Sequence, residues 1–230
     1  MTTPARGDDG AVAGVRVLPC ADAGLLVELA DLGQVLALYA ALRDAPPPGV
    51  TDLVPAGRTL LLRFGSGRVD AAAARRAVRA ALDRGVPPPG AAPADVIART
   101  SARAPSVRIP VVYDGADLDD VAVHTGLSPR EIVAAHTGTP WTVAFCGFSP
   151  GFGYLAGGDP RLRVPRREES RTRVPAGSVA LAGEFSGVYP RESPGGWQLL
   201  GRTDTATWDP DRDPPAILRP GVRVHFEEVT

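Results

Sequence analysis

Short apolar runs alternate with helically spaced apolar positions in the first part of the chain. The runs Gly14 to Pro19 and Gly24 to Leu29 predict two strands. From Asp31 to Arg43, the residues Leu32, Val35, Leu36, Tyr39 and Leu42 recur at helical spacing and predict a helix. Pro46-Pro47-Pro48-Gly49 stops it. Thr59 to Phe64 (TLLLRF) predicts a strand. Asp70 stands at the cap position of a helix running to Arg84, with Gly85 as its stop. Ala71, Ala74, Val78, Ala81 and Leu82 share one face of that helix, and Arg76, Arg79 and Asp83 point away. This order of elements predicts a small α/β domain over residues 11–85, after a disordered tail at 1–10. Residues 86–106, rich in Pro and Ala, predict a part-extended linker.

The pattern changes after residue 106. A strand is predicted over Val107 to Tyr113, then two short helices. Asp117 is expected to cap the first, which Gly126 ends. Ser128-Pro129-Arg130-Glu131 reads as a capping box with proline at the first helical position, and Gly138 closes that helix. Beyond the apolar strand Trp141 to Phe145, the chain offers only short apolar runs between Gly and Pro turns. Val179 to Ala182, Trp197 to Leu200 and Val222 to Phe226 are the expected strands. Many short strands predict a β-barrel-like or sandwich domain over 107–230, so the fold class is α+β.

Composition narrows the chemistry. The chain has 230 residues, 44% hydrophobic and 22% charged, with a net charge of −1. A sizeable core is therefore expected, and a bulk basic field for nucleic acid is not. No apolar run is long enough for a membrane helix, and MTTPARGDDG has no apolar signal region, so a cytoplasmic protein is expected. Two distant cysteines, Cys20 and Cys146, suggest no disulfide framework, and His124, His136 and His225 are too scattered for a metal pattern. The chain contains no lysine; all 25 basic residues are arginine. A Walker A loop, a kinase strand lysine and a pyridoxal Schiff base are thereby excluded from this chain.

Two motifs fail on their mechanics. Gly147-Phe148-Ser149-Pro150-Gly151 matches G-x-S-x-G, but the residue after the serine must give a backbone N–H to an oxyanion hole and Pro150 has none. Gly151-Phe152-Gly153-Tyr154-Leu155-Ala156 matches a dinucleotide fingerprint, yet Gly157-Gly158-Asp159-Pro160 ends any helix it would open. His136 falls in the last turn of its helix, where a cation suits the dipole; it reads either as a structural histidine or as a general base. Six arginines crowd Arg161 to Arg173, with a net local charge of +4. That segment reads as a solvated loop or as a phosphate or carboxylate site. Trp197 follows the Gly195-Gly196 pair and fits the core better than a stacking surface.

From Phe145 to Arg202 the residues become recognisable. GFSPGFGYLAGGDPRLRVPRREESRTRVPAGSVALAG and GVYPRESPGGWQLLGRT, with VHTGLSPREIVAAHTG before them, closely resemble the family of the 5-oxoprolinase B subunit, also called the KipI-like or allophanate hydrolase subunit 1 family. The family's GF-PGF-YL motif falls on Gly147, Phe148, Pro150, Gly151, Phe152, Tyr154 and Leu155. Its PR and RVPAGSV elements fall on Pro165, Arg166 and Arg173 to Val179. Its YP-ESPGGW and GRT elements fall on Tyr189, Pro190, Glu192 to Trp197 and Gly201 to Thr203, and its histidine on His136. Gly153 and Asp204 stand where the family usually has Pro, Glu184-Phe185-Ser186 where it is more polar, and Val222 where it has Asp.

The resemblance implies a small α/β N-terminal domain followed by a cyclophilin-like β-barrel C-terminal domain. It implies work with the other two 5-oxoprolinase components, a directly bound C subunit and the A subunit, hydrolysing 5-oxo-L-proline to L-glutamate. ATP is the implied co-substrate, becoming ADP and phosphate, and is held mainly by a partner, so the chain alone is expected to be inactive. The alternatives within the resemblance are a carboxyltransferase component of the allophanate hydrolase or urea carboxylase type and an inhibitor of a histidine kinase. The expected substrate- or anion-binding residues are Phe148, Pro150, Gly151, Arg166, Arg173, Gly177, Ser178, Tyr189, Pro194, Gly195, Gly196, Trp197 and Arg202, with His136 as catalytic candidate. No metal, nucleic acid or membrane is implied.

Overall fold

The computed structural model describes residues 15–65, 70–100 and 104–230; the tail expected over 1–10 lies outside them. The chain divides into two units, Met1–Ala92 and Pro93–Thr230. Among the described residues no helix is long and apolar enough to cross a membrane.

The first unit is a four-stranded antiparallel sheet with two helices. Its strands are β1 (Arg16–Cys20), β2 (Gly24–Glu28), β3 (Val50–Pro55) and β4 (Thr59–Phe64), in the order β1-β2-β4-β3. Helix α1 (Leu32–Asp44) packs on β3, β4 and α2 (Ala71–Gly85). The side chains of Asp31 and Asp70 cap the two helices by accepting from the backbone N–H of Gln34 and Ala73. Val27, Val35, Leu38, Leu60 and Leu62 are fully buried, each stabilising by roughly 1.5–3 kcal/mol relative to exposure. Strand β3 goes beyond the sequence expectation: VTDLVP carries Asp52 and Pro55 on an edge of the sheet and lacks an apolar face to read.

Helix α1 is buried more fully than one apolar stripe requires, and the segment expected as linker accounts for part of this. Gln34 donates from Nε2 to the Pro87 carbonyl, and Asp31 accepts from the Gly90 N–H at 2.6 Å. A Cβ on Gly33 would meet the Ala91 carbonyl. Residues 87–91 therefore lie along α1 instead of hanging free. Pro93–Thr100 forms a helix (α3), with proline at its start where a missing N–H costs nothing. The part-extended linker of 86–106 is corrected to that extent; 101–103 lie outside the described residues.

The second unit carries β5 (Ser106–Val111), α4 (Leu118–Thr125), α5 (Pro129–Gly138), β6 (Trp141–Cys146), β7 (Gly153–Ala156), β8 (Arg171–Val174), β9 (Ser178–Ala182), β10 (Phe185–Val188), β11 (Ser193–Gly195), β12 (Gln198–Arg202) and β13 (Arg223–Glu228). Seven strands form one sheet in the order β12-β9-β10-β7-β6-β13-β5, and β8 pairs with β11 in a separate ribbon. Two hydrogen bonds of 2.9 Å between Val112 and Arg202 lace the sheet's edges together, so it curls into a barrel-like form. Strand β13 runs parallel to β5 and antiparallel to β6. Ile109, Val143, Leu155, Leu181, Val224 and Phe226 fill one core. The mixed α/β class with a barrel-like second half is as expected.

The capping box of α5 is formed in both directions between Ser128 and Glu131, and Gly126 closes α4 with φ +71°. Strands β7, β8, β10 and β11 also go beyond the expectation. Each has three or four residues and contains glycine or arginine, so none shows a run long enough to read.

Candidate functional site

The G-x-S-x-G segment forms the connection between the antiparallel strands β6 and β7, not a strand-to-helix elbow. Its turn is tied by Ser149 N–H to the Gly147 carbonyl at 2.7 Å and Phe152 N–H to the Ser149 carbonyl at 3.0 Å. This holds Phe148 at φ +64°, a conformation that a bulky side chain adopts only under constraint. Gly151 has φ +81°, and a Cβ there would stand 3.2 Å from the Trp208 backbone. The turn thus presents the Phe148 ring to solvent, 58% exposed, while Phe152 turns inward. Pro150 is exposed beside it.

Behind the turn lies a second, aromatic core. Phe152, Tyr189 and Trp197 are buried, and Tyr154 and Phe185 pack against them. The rings meet edge to face, with Phe152 5.5 Å from Tyr189 and 5.3 Å from Trp197. Phe148 joins this network through Phe152 and Tyr189. Trp197 is a core residue, as its sequence context suggests.

Tyr189 links the aromatic core to the arginine loop. Burial raises the pKa of its hydroxyl; a hydrogen bond with the Trp197 backbone and the charges of Arg166 and Arg171 act against that rise. A Cβ on Gly195 would lie within 2.9 Å of the Tyr189 ring, and one on Gly196 would stand 2.7 Å from Ser170 Oγ and 3.4 Å from Arg166 Nη2. Two glycines are thus required for the phenol and the guanidinium to lie against this backbone. Pro194 is exposed on β11 next to them.

The three expected anion-binding arginines differ in state. Arg173 pairs with Glu192 at 2.6 Å and Arg202 with Asp114 at 2.9 Å, all four side chains well exposed. Arg166 has no ion-pair partner among the described residues. Exposed pairs contribute under about 1 kcal/mol, so Arg173 and Arg202 can exchange partners cheaply. Gly177, one of the expected binding residues, has its backbone committed within the protein: its N–H donates to the Tyr189 carbonyl at 2.7 Å and its carbonyl accepts from the Thr203 N–H. Ser178 is buried, and its carbonyl accepts from Tyr189 N–H.

Asp117 does not cap α4 with its side chain. Its carboxylate, 1% exposed, accepts from Arg167 at 2.8 Å, from Arg171 at 2.6 and 2.9 Å, and from the Leu199 N–H at 2.7 Å. Burial alone would raise its pKa, but the Arg171 and Leu199 hydrogen bonds and the two guanidinium charges outweigh burial and hold it low. Asp117 thereby ties Arg167 and Arg171 of the arginine loop to Leu199 on β12. Sequence reading misses this because the partners lie 50 to 82 residues away.

His136, read from the sequence as a structural histidine or a general base, lies in the core. It is fully buried, stacked on Phe226 at 4.3 Å, with Nδ1 2.7 Å from Tyr113 Oη and Nε2 2.8 Å from Ser186 Oγ. Burial lowers its pKa to about 3, so the imidazole is neutral although its place in the last helical turn would suit a cation. A neutral ring has one N–H, so it donates to one hydroxyl and accepts from the other. This bonding ties α5 to β10 and to the chain after β5.

Comparison with known proteins bears on this arrangement. The family model for the carboxyltransferase domain, subdomain C and D, matches residues 15–218. The B subunit of the 5-oxoprolinase of Escherichia coli O157:H7 is 50% identical over 123 residues, covering 52% of this chain and 56% of that protein. The chain spans about half the length of the curated relatives it matches. The crystal structure of TTHA0988 superposes with a TM-score of 0.69 at 38% identity, over 90% of this chain and 40% of that one. The urea carboxylase of Kluyveromyces lactis shares the fold alone, at 17% identity and a TM-score of 0.62, over 94% of this chain and 22% of that one. With the family model spanning both units, the chain belongs to the family of the carboxyltransferase domain, subdomain C and D.

Proposed function

We propose that the chain is the B subunit of a cytoplasmic, ATP-dependent 5-oxoprolinase, inactive alone, bound directly to the C subunit and working with the A subunit. The observation that carries this reading is the 50% identity to a protein of that name. The surface formed by Phe148, Tyr189, Gly195, Gly196 and Arg166 supports it.

A lactam amide resists water. Transfer of the terminal phosphoryl group of ATP to its carbonyl oxygen, with release of ADP, makes that oxygen a leaving group. Water then adds to the carbon and the ring C–N bond breaks, leaving an acyl phosphate that a second water hydrolyses to the carboxylate and free phosphate. Such a site must hold carboxylate and phosphate anions in place. Arg166 offers an uncommitted guanidinium, and Arg173 and Arg202 offer exchangeable ones. With no lysine in the chain, a P-loop cannot hold the nucleotide here, which supports a partner of this chain as its main binder.

The test is reconstitution: glutamate and ADP release from 5-oxoproline and ATP, with each component omitted in turn. Release that needs all three is expected; formation of the complex without release refutes the reading. Arg166→Ala, Arg173→Ala and Arg202→Ala follow singly. Losses below about threefold for all three, under 1 kcal/mol of transition-state stabilisation, would end the anion-site role. The family description favours one second reading, carboxyl transfer in urea or allophanate breakdown, which the same complex tests with those substrates.

A further inference from the structure

Two aromatic rings of the second unit face solvent. Phe148 is 58% exposed and Trp208 40%, whereas every other Phe, Tyr and Trp among the described residues is buried or half-buried. The two rings flank one turn. The hydrogen bond from Phe152 N–H to the Ser149 carbonyl closes it, and Gly151 within it lies so close to Trp208 that a Cβ would collide with the Trp208 Cβ. Pro150, on the same turn, is exposed as well. Both rings stand on ordered backbone. The turn fixes Phe148 at φ +64°. Trp208 is bridged to Ala216, with Asp209 N–H donating to the Pro215 carbonyl at 3.0 Å and Ile217 N–H to the Thr207 carbonyl at 3.2 Å.

Exposed rings held this way are suited to being covered. Each removes a large apolar area from water when buried, and a ring already fixed by its backbone loses little freedom in the process. Aromatic anchors of this kind carry much of the energy of protein interfaces. The strained Phe148 backbone points the same way, since a bulky residue keeps a positive φ only where its presentation is used.

Charge narrows the choice of what covers them. The segment Trp208 to Ala216 (WDPDRDPPA) carries three carboxylates and one guanidinium, a net charge of −2. Arg212 turns its guanidinium onto the carbonyls of Ala206, Pro214 and Pro215. Asp209, Asp211 and Asp213 take part in no ion pair among the described residues. A fitting partner therefore offers an apolar recess edged with arginine or lysine. A second copy of this chain would set one net-negative rim against another. Further polypeptide does accompany this fold in a relative, where it accounts for only 40% of the TTHA0988 chain. The patch also runs into the candidate surface. The Phe148 ring meets Tyr189 at 6.1 Å, and Gly195 and Gly196 place Tyr189 beside Arg166.

We propose that the turn at 147–151 and Trp208 form the docking surface for the C subunit, which takes Phe148 and Trp208 into an apolar recess and meets Asp209, Asp211 and Asp213 with basic side chains. Naming the C subunit as occupant rests on the oxoprolinase reading; the apolar and basic chemistry of the recess does not. A partner seated there borders the Tyr189 and Arg166 surface, so the site is shared between two chains.

The experiment measures the Kd of the full chain for the C subunit by titration calorimetry. Trp208→Ser and Phe148→Ser should each weaken binding about thirtyfold or more. Val123→Ser, which removes a side chain 83% exposed on α4, should bind as the parent does. Far-ultraviolet circular dichroism and the midpoint of unfolding show whether each variant folds; Trp208, outside the buried aromatic cluster, keeps the test decisive if Phe148→Ser does not. Parent binding should weaken as salt rises, and the double variant Asp211→Asn, Asp213→Asn should lose most of that dependence. Binding by folded Trp208→Ser within about threefold of the parent, or an affinity that ignores salt, overturns the proposal. A dimer of the chain alone that Trp208→Ser breaks also overturns it, giving the patch to a second copy. Hydrolysis of 5-oxoproline by a complex whose assembly ignores the patch removes the docking surface and leaves the oxoprolinase reading standing. Assembly through the patch without hydrolysis does the reverse.

Discussion

Burial of His136 as a neutral ring makes the second unit sensitive to mild acid, and the effect can be calculated. The imidazole is sealed between Tyr113, Ser186, Trp141 and Phe226, with its pKa lowered from 6.5 to about 3. The folded-state value lies below the unfolded one, so the unfolded chain takes up the proton first. The stabilisation is therefore complete above pH 6.5 and declines as pH falls from there toward 3. The slope approaches about 1.4 kcal/mol per pH unit, and between pH 7.5 and 5.0 the loss sums to about 2 kcal/mol. The lowered carboxyls of Asp117, Glu131 and Asp159 lose their contribution chiefly as pH falls through the ordinary carboxylate values of 3.8 to 4.5, so the window from 5 to 6.5 is dominated by the histidine. Trp141, Trp197 and Trp208 all lie in the second unit, and their fluorescence in denaturant titrations reports that unit directly. His136→Phe should be less stable at neutral pH, since Ser186 and Tyr113 lose a shared partner, at a cost on the order of 1–3 kcal/mol. It should also abolish the slope. A wild-type stability flat from pH 7.5 to 5.0, or an unchanged slope in His136→Phe, would refute the reasoning.

Two other substitutions test the supports of the candidate surface. Asp117→Asn keeps an acceptor for Leu199 N–H but leaves two guanidiniums without their charge partner; chemical denaturation should show a loss on the order of 3 kcal/mol, and a change below 1 kcal/mol would make the clamp incidental. Gly195→Ala drives a methyl into the Tyr189 ring, so near-ultraviolet circular dichroism should change and the midpoint of unfolding should fall; an unaltered spectrum would show that the ring has room to move.

Local signals in the sequence survive wherever one element determines its own form. The capping box at Ser128, the stop at Gly126, the cap at Asp70 and the apolar period of α2 are all formed as read, because each depends on residues within one helical turn. Features built by distant pairs are not legible. Asp117 carries an ordinary cap signature, yet its side chain answers to Arg167, Arg171 and Leu199. His136 sits at a helix end that favours a cation, but Phe226 and Ser186 arrive from far along the chain to exclude water. The short strands β8 and β11 exist because they pair with each other, not because either has a strong apolar pattern. At the candidate surface, the glycine pair at 195 and 196 is visible in the sequence as a place of close approach; the phenol and guanidinium that approach it are not.

The placement of β13 between β5 and β6 has a consequence for synthesis. The first strand of the second unit meets its neighbour in the sheet only when residues 223–228 have been made, more than a hundred positions later. The first unit pairs only near neighbours and has every strand within reach by residue 64. On a ribosome emitting a few to about twenty residues per second, the first sheet can close while the second is still being translated. Throughout that interval β5 and β6 expose unpaired edges and apolar faces, the condition that invites chaperone capture or premature association. Slow codons or chaperone limitation would therefore damage the second unit selectively, leaving nascent chains with a folded front half and an open, sticky rear.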